Sequence, residues 1–184
     1  TGNLINLLST YSKRLDYTGI DIVEEQIRIA KKQHSKFRFV NSDLLKYNFR
    51  RKFDLVNATG LIQHSANYKD IIKKMINLSS KYVIFDIKIS KLDKNFINIK
   101  DSYIKVGSNK IPYIIFSQNM FNEELKKNKN INKIYFYGYP THINKNAKIP
   151  VEINKVISVG YLIEKSDFKK RLTISGKIVS KNKT

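Results

Sequence analysis

The chain has 184 residues, 41% of them apolar and 27% charged, with 7 Gly and 3 Pro, a size and balance that fit a packed globular domain and exclude collagen-like, linker-like and wholly disordered readings. Lys, Asn or Asp interrupts every apolar run short of the ~18 residues a spanning helix needs. The absence of Cys removes disulfides, thiolate metal sites, iron–sulfur clusters and a cysteine nucleophile, and is compatible with a cytoplasmic location.

Charge is the most unusual feature: 35 basic against 15 acidic residues give a formal +20. The excess is diffuse, +8 over residues 1–90 (16 basic, 8 acidic) and +12 over 91–184 (19 basic, 7 acidic), with no confined basic arm. It is carried by 29 Lys and only 6 Arg, alongside 27 Ile, 19 Asn and 4 Ala, the skew that A+T-rich coding produces. A lysine coat attracts polyanions but supplies few of the bidentate guanidinium forks used in specific readout, so nucleic acid stands as an alternative partner behind a small molecule.

In chain order, Leu4, Leu7, Leu8 and Tyr11 fall at helical spacing and predict one apolar helix face. Residues 17–22 predict a short strand. Residues 23–32 predict a helix, with acids in the first turn and lysines in the last to match the helix dipole. Strands follow at 37–40 and 53–58, then a helix through Tyr68, Ile71, Ile72, Met75 and Ile76, and a strand at 81–89. Strands joined by single helices are βαβ units, so this half predicts a parallel sheet with helices on both faces. Beyond Ser90 come a polar stretch to 108, an apolar run at 111–116, a helix at 120–129, and strands at 131–139 and 156–163. The loop joining those two strands, with Pro140 and Pro150, holds no helix, so they are expected to form an antiparallel hairpin at one sheet edge. Residues 1–165 predict one domain, and 166–184 a basic polar tail.

In open α/β sheets ligands bind beyond the carboxyl ends of the strands. Thr1-Gly2-Asn3 opens directly into a helix, Asp21 ends one strand, Asp43 lies just past the next, and Asn57-Ala-Thr-Gly60 just past the third. A carboxylate in the Asp21 position can accept from both hydroxyls of a ribose.

Taken together in this order and spacing, these residues resemble the class I S-adenosylmethionine-dependent methyltransferases. Thr1-Gly2-Asn3 is similar to the last fragment of that family's glycine-rich turn. Thr-Gly-Ile-Asp21-Ile22 resembles its acidic strand end, and Asn-Ser-Asp43-Leu44 its adenine motif, in which the acid takes the exocyclic amine and the next residue offers a backbone N–H. The run from Phe53 to His64, with Asn57 and Thr59, resembles the motif lining the methionine end of the cofactor. The resemblance implies S-adenosyl-L-methionine as cofactor, no metal, and the strand order 3-2-1-4-5-7-6. It also implies a fragment lacking the first, central strand, which would belong between the strands at 17–22 and 53–58.

Methyl transfer needs an aligned nucleophile and, for some acceptors, a base; His64 is the candidate base, since imidazole titrates near neutrality. His34, at a helix end, reads as a cap. The family's topology places the segments 91–117 and 140–155 over the site, making Tyr113, Tyr139 and His142 candidate substrate contacts. The Asn-Ala-Thr-Gly stretch lacks the Pro-Pro-aromatic clamp of base-amino methylases, and there is no Cys for cytosine-5 chemistry. Elimination therefore favours a small molecule, sugar or lipid intermediate; the alternatives are an RNA methyltransferase and a non-catalytic remnant.

Overall fold

A computed structural model describes residues 2–165 and 172–179. The chain divides between Arg50 and Arg51 into two compact units, where the sequence alone suggests a single domain over 1–165. The first unit contains α1 (Asn3–Tyr11), β1 (Thr18–Asp21), α2 (Glu24–Gln33) and β2 (Arg38–Asn41). β1 and β2 pair in parallel, from Thr18 opposite Arg38 to Asp21 opposite Asn41. Glu24 and Glu25 open α2 and Lys31 and Lys32 close it, as its dipole favours. Ile27 and Ala30 of this helix are buried with Ile5 of α1 and Phe39 of β2, flanked by Leu15, Tyr17 and Phe37.

α1 forms where expected but turns a different face inward. Ile5 is its buried residue, and Leu7 and Tyr11 are 56% and 83% exposed. At about 100° per residue, Leu8 lies roughly 60° from Ile5 around the helix and Leu7 roughly 160°, so a core centred near Ile5 leaves Leu7 and Tyr11 outside.

The second unit opens with β3 (Phe53–Ala58), a 3₁₀ turn at Ile62–His64, α3 (Tyr68–Leu78) and β4 (Ser79–Ser90). It continues through β5 (Tyr103–Val106), β6 (Asn109–Pro112), β7 (Ile115–Ser117), α4 (Gln118–Lys126), β8 (Ile131–Thr141), β9 (Ala147–Lys148), β10 (Val156–Lys165) and β11 (Thr173–Ile178). The main sheet has the order β11-β8-β10-β4-β3, with β7 also paired to β4. β3 and β7 run parallel to β4, while β10 runs antiparallel to both β4 and β8. β8 therefore points the same way as β3 and β4, as the strand order implied by the resemblance requires. β1 is laddered to β2 and β3 to β4, so each ends its own sheet.

The β8–β10 hairpin forms as expected, but not at the edge. β11 pairs with β8 in parallel, so residues 173–178 of the expected polar tail are a strand; 166–171 and 180–184 lie outside the described residues. β11 is mostly exposed, which explains why apolar patterning does not reveal it: it is held by main-chain pairing, and at Gly176 the Phe136 carbonyl comes so close that any Cβ would collide.

The stretches 91–117 and 140–155 also contain more structure than their composition suggests. β5 and β6 form a hairpin around Gly107, whose φ is +59°, and β9 pairs with β5. This small sheet has its own core of Phe96, Ile104, Tyr113, Ile115, Ile153 and Val156.

One face of the main sheet is buried under α3 and α4. All five apolar residues that predict α3 are buried, and an aromatic chain links the layers. Tyr68 meets Phe116 edge-on with centroids 4.9 Å apart, Phe116 meets Phe121 at 5.0 Å, and Phe121 meets Phe85 at 5.9 Å. Phe85 stacks on Tyr161 at 5.4 Å with the rings 11° apart. Burial pushes the Tyr161 phenol well above its usual pKa, and its hydroxyl donates to Asn122 Oδ1 at 3.0 Å. Phe85→Ala should therefore destabilise the protein by about 3–5 kcal/mol, and Tyr161→Phe by about 1 kcal/mol, both measured by urea unfolding.

Candidate functional site

In the first unit Asp21, Ile22, Asp43 and Leu44 gather at the carboxyl end of the β1–β2 pair, whereas Gly2 packs on His34, at the other end of α2 from Asp21. Asp21 ends β1 and is half-buried. Its Oδ1 accepts the Val23 N–H at 2.9 Å, a local bond that turns the chain just ahead of α2. Its carbonyl accepts from the Ser42 N–H at 3.0 Å and from Asn41 Nδ2 at 3.1 Å. The acid is thus fixed by both strands, and Oδ2 has no hydrogen-bond partner among the described residues. Ile22, beside it, is 71% exposed.

Asp43 sits two residues beyond β2. Its Oδ1 accepts the Leu45 N–H at 2.8 Å, and its carbonyl accepts from Lys46 and Tyr47, so the turn carrying Asp43 and the half-buried Leu44 is also ordered from within. Asp21 and Asp43 are brought to the same end of the same strand pair.

Gly2 precedes α1 with φ 78° and ψ 14°, a left-handed conformation that glycine adopts without strain. A Cβ here would lie 2.8 Å from Cδ2 of His34, so the start of α1 is packed closely as well as left-handed. His34 is the C-cap of α2, its N–H donating to Ala30 at 2.9 Å, as the sequence suggests; its approach to Gly2 left no local signal. Thr1 lies outside the described residues.

In the second unit the chain turns immediately after β3. Thr59 Oγ1 donates to Asn57 Oδ1 at 2.8 Å, joining two of the expected cofactor residues. Gly60, with φ 78°, donates its N–H to Asp86 Oδ1. The 3₁₀ turn that follows carries His64, half-buried, with Nδ1 3.0 Å from the Pro112 carbonyl and its ring 5.8 Å from that of Tyr113. A carbonyl only accepts, so Nδ1 bears the proton and Nε2 carries the lone pair that a base requires.

The substrate candidates behave differently from one another. Tyr113 is 4% exposed and belongs to the core of the small sheet; burial first, then the Asp86 charge, pushes its phenol pKa up, so at neutral pH it is an uncharged wall beside His64. Tyr139 is 50% exposed on β8, and His142 lies just past that strand, also exposed. Neither shares a hydrogen bond or ring contact with His64 among the described residues.

Patterning also missed a sheltered polar set on the face of β4 opposite Phe85 and Ile87. Asp86 and Lys88 of β4 have side chains only 18% and 17% exposed, 3.6 Å apart, and Lys88 Nζ donates to Ser158 Oγ at 2.8 Å. Asp at 86 and Lys at 88 were visible as the polar members of an alternating strand, but alternation alone assigns such residues to solvent. Gln63 is 3% exposed, and its Oε1 has no partner among the described residues.

Comparison with known proteins connects these features. A family described as a methyltransferase domain matches residues 1–81, the span that holds every expected cofactor residue. No curated protein matches by sequence. Among solved structures, an S-adenosylmethionine-dependent methyltransferase from Clostridium acetobutylicum is 17% identical with a TM-score of 0.56, over 89% of this chain and 79% of that one. The N-methyltransferase NodS from Bradyrhizobium japonicum, solved with S-adenosyl-L-homocysteine, is 11% identical with a TM-score of 0.56, over 90% of this chain and 74% of its own. An O-methyltransferase from a trans-AT polyketide multienzyme of Brevibacillus brevis, also solved with S-adenosyl-L-homocysteine, is 12% identical with a TM-score of 0.62, over 90% of this chain and 63% of its own.

The His64 contact makes a direct prediction. Nitrogen NMR of the neutral imidazole should find Nδ1 protonated and Nε2 bare. The opposite tautomer would mean that the Pro112 carbonyl is not its partner.

Proposed function

We propose that this chain, whose residues 1–81 match a methyltransferase-domain family and which has the class I S-adenosylmethionine-dependent methyltransferase fold, transfers a methyl group from S-adenosyl-L-methionine to a small molecule, sugar or lipid intermediate. The observation that carries the reading is the anchored carboxylate of Asp21. It ends a parallel strand with one oxygen committed to the Val23 amide and the other without a partner among the described residues, as an acceptor for vicinal hydroxyls should be.

The residues present fit the cofactor. Asp21, with Ile22 beside it, is assigned to the ribose. Asp43 and the Leu44 amide are assigned to the adenine edge; the close approach at Gly2 is taken up by His34, so Gly2 is given no cofactor contact. Asn57 and Thr59, already hydrogen-bonded to one another, are assigned to the methionine end. When bound, the cofactor supplies a methyl group already activated by its sulfonium, so the protein has chiefly to orient the acceptor and accept its proton. His64 is the group proposed to take that proton, at Nε2, with Pro112 and Tyr113 holding the ring. Tyr139 and His142 are offered as acceptor contacts on the exposed end of β8. The N- and O-methyltransferase neighbours support a small-molecule acceptor. Among the described residues no helix is long and apolar enough to cross a membrane, and we place the protein in the cytoplasm.

Calorimetry with S-adenosyl-L-homocysteine tests the reading. Asp21→Ala should weaken binding by about 1.5–3 kcal/mol, the scale of a hydrogen bond to a charged group, and Asp43→Ala by less, because adenine is also held by stacking. Unchanged affinity in Asp21→Ala would remove the residue from the site.

A further inference from the structure

We propose that Asp86 is a positioning residue for cofactor binding: by accepting the Gly60 amide it holds the turn 57–60 in a single conformation, and Lys88 and Ser158 in turn hold Asp86. This rests on reading the turn after β3 as part of the cofactor site.

The β3–β4 ladder ends at Ala58 opposite Phe85, so the amides that follow have no strand to donate to. Asp86 is the next residue on β4, and its carboxylate takes the Gly60 N–H at the point where main-chain pairing stops. Gly60 has φ +78°, and a Cβ there would meet nothing within 4 Å. Glycine is therefore required by the sign of the backbone angle and not by lack of room, and the conformation of the turn depends on what holds its amide. Within the turn, Thr59 and Asn57 are also tied by a hydrogen bond.

The carboxylate is itself held in place. Lys88 Nζ stands 3.6 Å from Asp86 Oδ2 and donates to Ser158 Oγ. Ser158 is 4% exposed and lies opposite Lys88 in the β10–β4 ladder. Gly60, Asp86, Lys88 and Ser158 thus form a chain from the turn after β3 across β4 to β10. An ion pair as sheltered as this adds little net stability, since apolar side chains of similar volume serve as well in such places. What the pair does that apolar residues could not is fix the direction of a backbone amide, and Lys88 lets it do so without leaving an uncompensated negative charge on the sheet.

The test is calorimetry of the intact chain with S-adenosyl-L-homocysteine, together with exchange of the Gly60 amide by NMR. Asp86→Ala should weaken binding about tenfold, the scale of one charge-assisted hydrogen bond, and should speed exchange of the Gly60 amide. Asp86→Asn keeps an oxygen that can accept the amide and should stay within about threefold of wild type, since a neutral hydrogen bond keeps about half the strength of a charge-assisted one. If the alanine variant fails to fold, Asp86→Glu, which keeps the charge but displaces the carboxylate, should show the same loss. Wild-type affinity in Asp86→Ala, or equal losses in Asn and Ala with a lowered melting temperature in both, would overturn the proposal and leave the methyltransferase reading standing. Failure of the wild-type chain to bind S-adenosyl-L-homocysteine would instead overturn that reading, and the role of Asp86 with it.

Discussion

The alternation of β4 is the constraint on which the second unit depends. Successive side chains of a strand point to opposite faces. In β4, Val83, Phe85, Ile87 and Ile89 all turn inward and are buried, leaving Ile84, Asp86 and Lys88 on the other side. The strand also pairs with β3, β7 and β10, so its register sets the position of each. A slip of one residue would drive Asp86 and Lys88 into the aromatic core and expel Phe85, a change no neighbouring strand could absorb.

On the inner face the packing is aromatic. Phe85, Phe116, Phe121, Tyr68 and Tyr161 form a continuous series of edge-on and stacked contacts. Such contacts have preferred geometries that simple apolar burial lacks, and they fix α3 and α4 against β4, β7 and β10. On the outer face the same strand presents a carboxylate and an ammonium, both sheltered and mutually compensated. The rigidity created on one side is thus available to polar groups on the other, which is how a precise amide contact at Gly60 can be held by a side chain on a different strand.

The small sheet β6-β5-β9 illustrates a different route to order. Its strands are short, and its core combines residues from 91–117 with others from 140–156, two segments that are far apart in sequence. It presses Pro112 and Tyr113 against His64, and so determines which imidazole nitrogen carries the proton. The same contact makes Tyr113 part of a packed wall, whereas Tyr139, reached by the alternation of β8, stays exposed.

Much of this architecture was legible in the chain itself. The helices at 24–33 and 68–78 follow from apolar spacing and charge order, β3 and β4 from β-rich runs, and the antiparallel return of β10 from a loop with no room for a helix. The order of Gly2, Asp21, Asp43 and Gly60 was legible because strand ends and the turns after them are local features, and it was the resemblance of these segments to class I methyltransferases that implied the chemistry. Other elements depended on partners remote in sequence. Main-chain pairing makes β11 a strand despite its exposed side chains, and the packing around Ile5 decides which face of α1 is buried. The approach of His34 to Gly2, the bond from Gly60 to Asp86 and the tautomer of His64 each join residues between 26 and 48 positions apart. Periodicity records only what a residue's near neighbours require; contacts across strands and loops are created by the tertiary fold, and it was the fold that decided how the polar side chains are used.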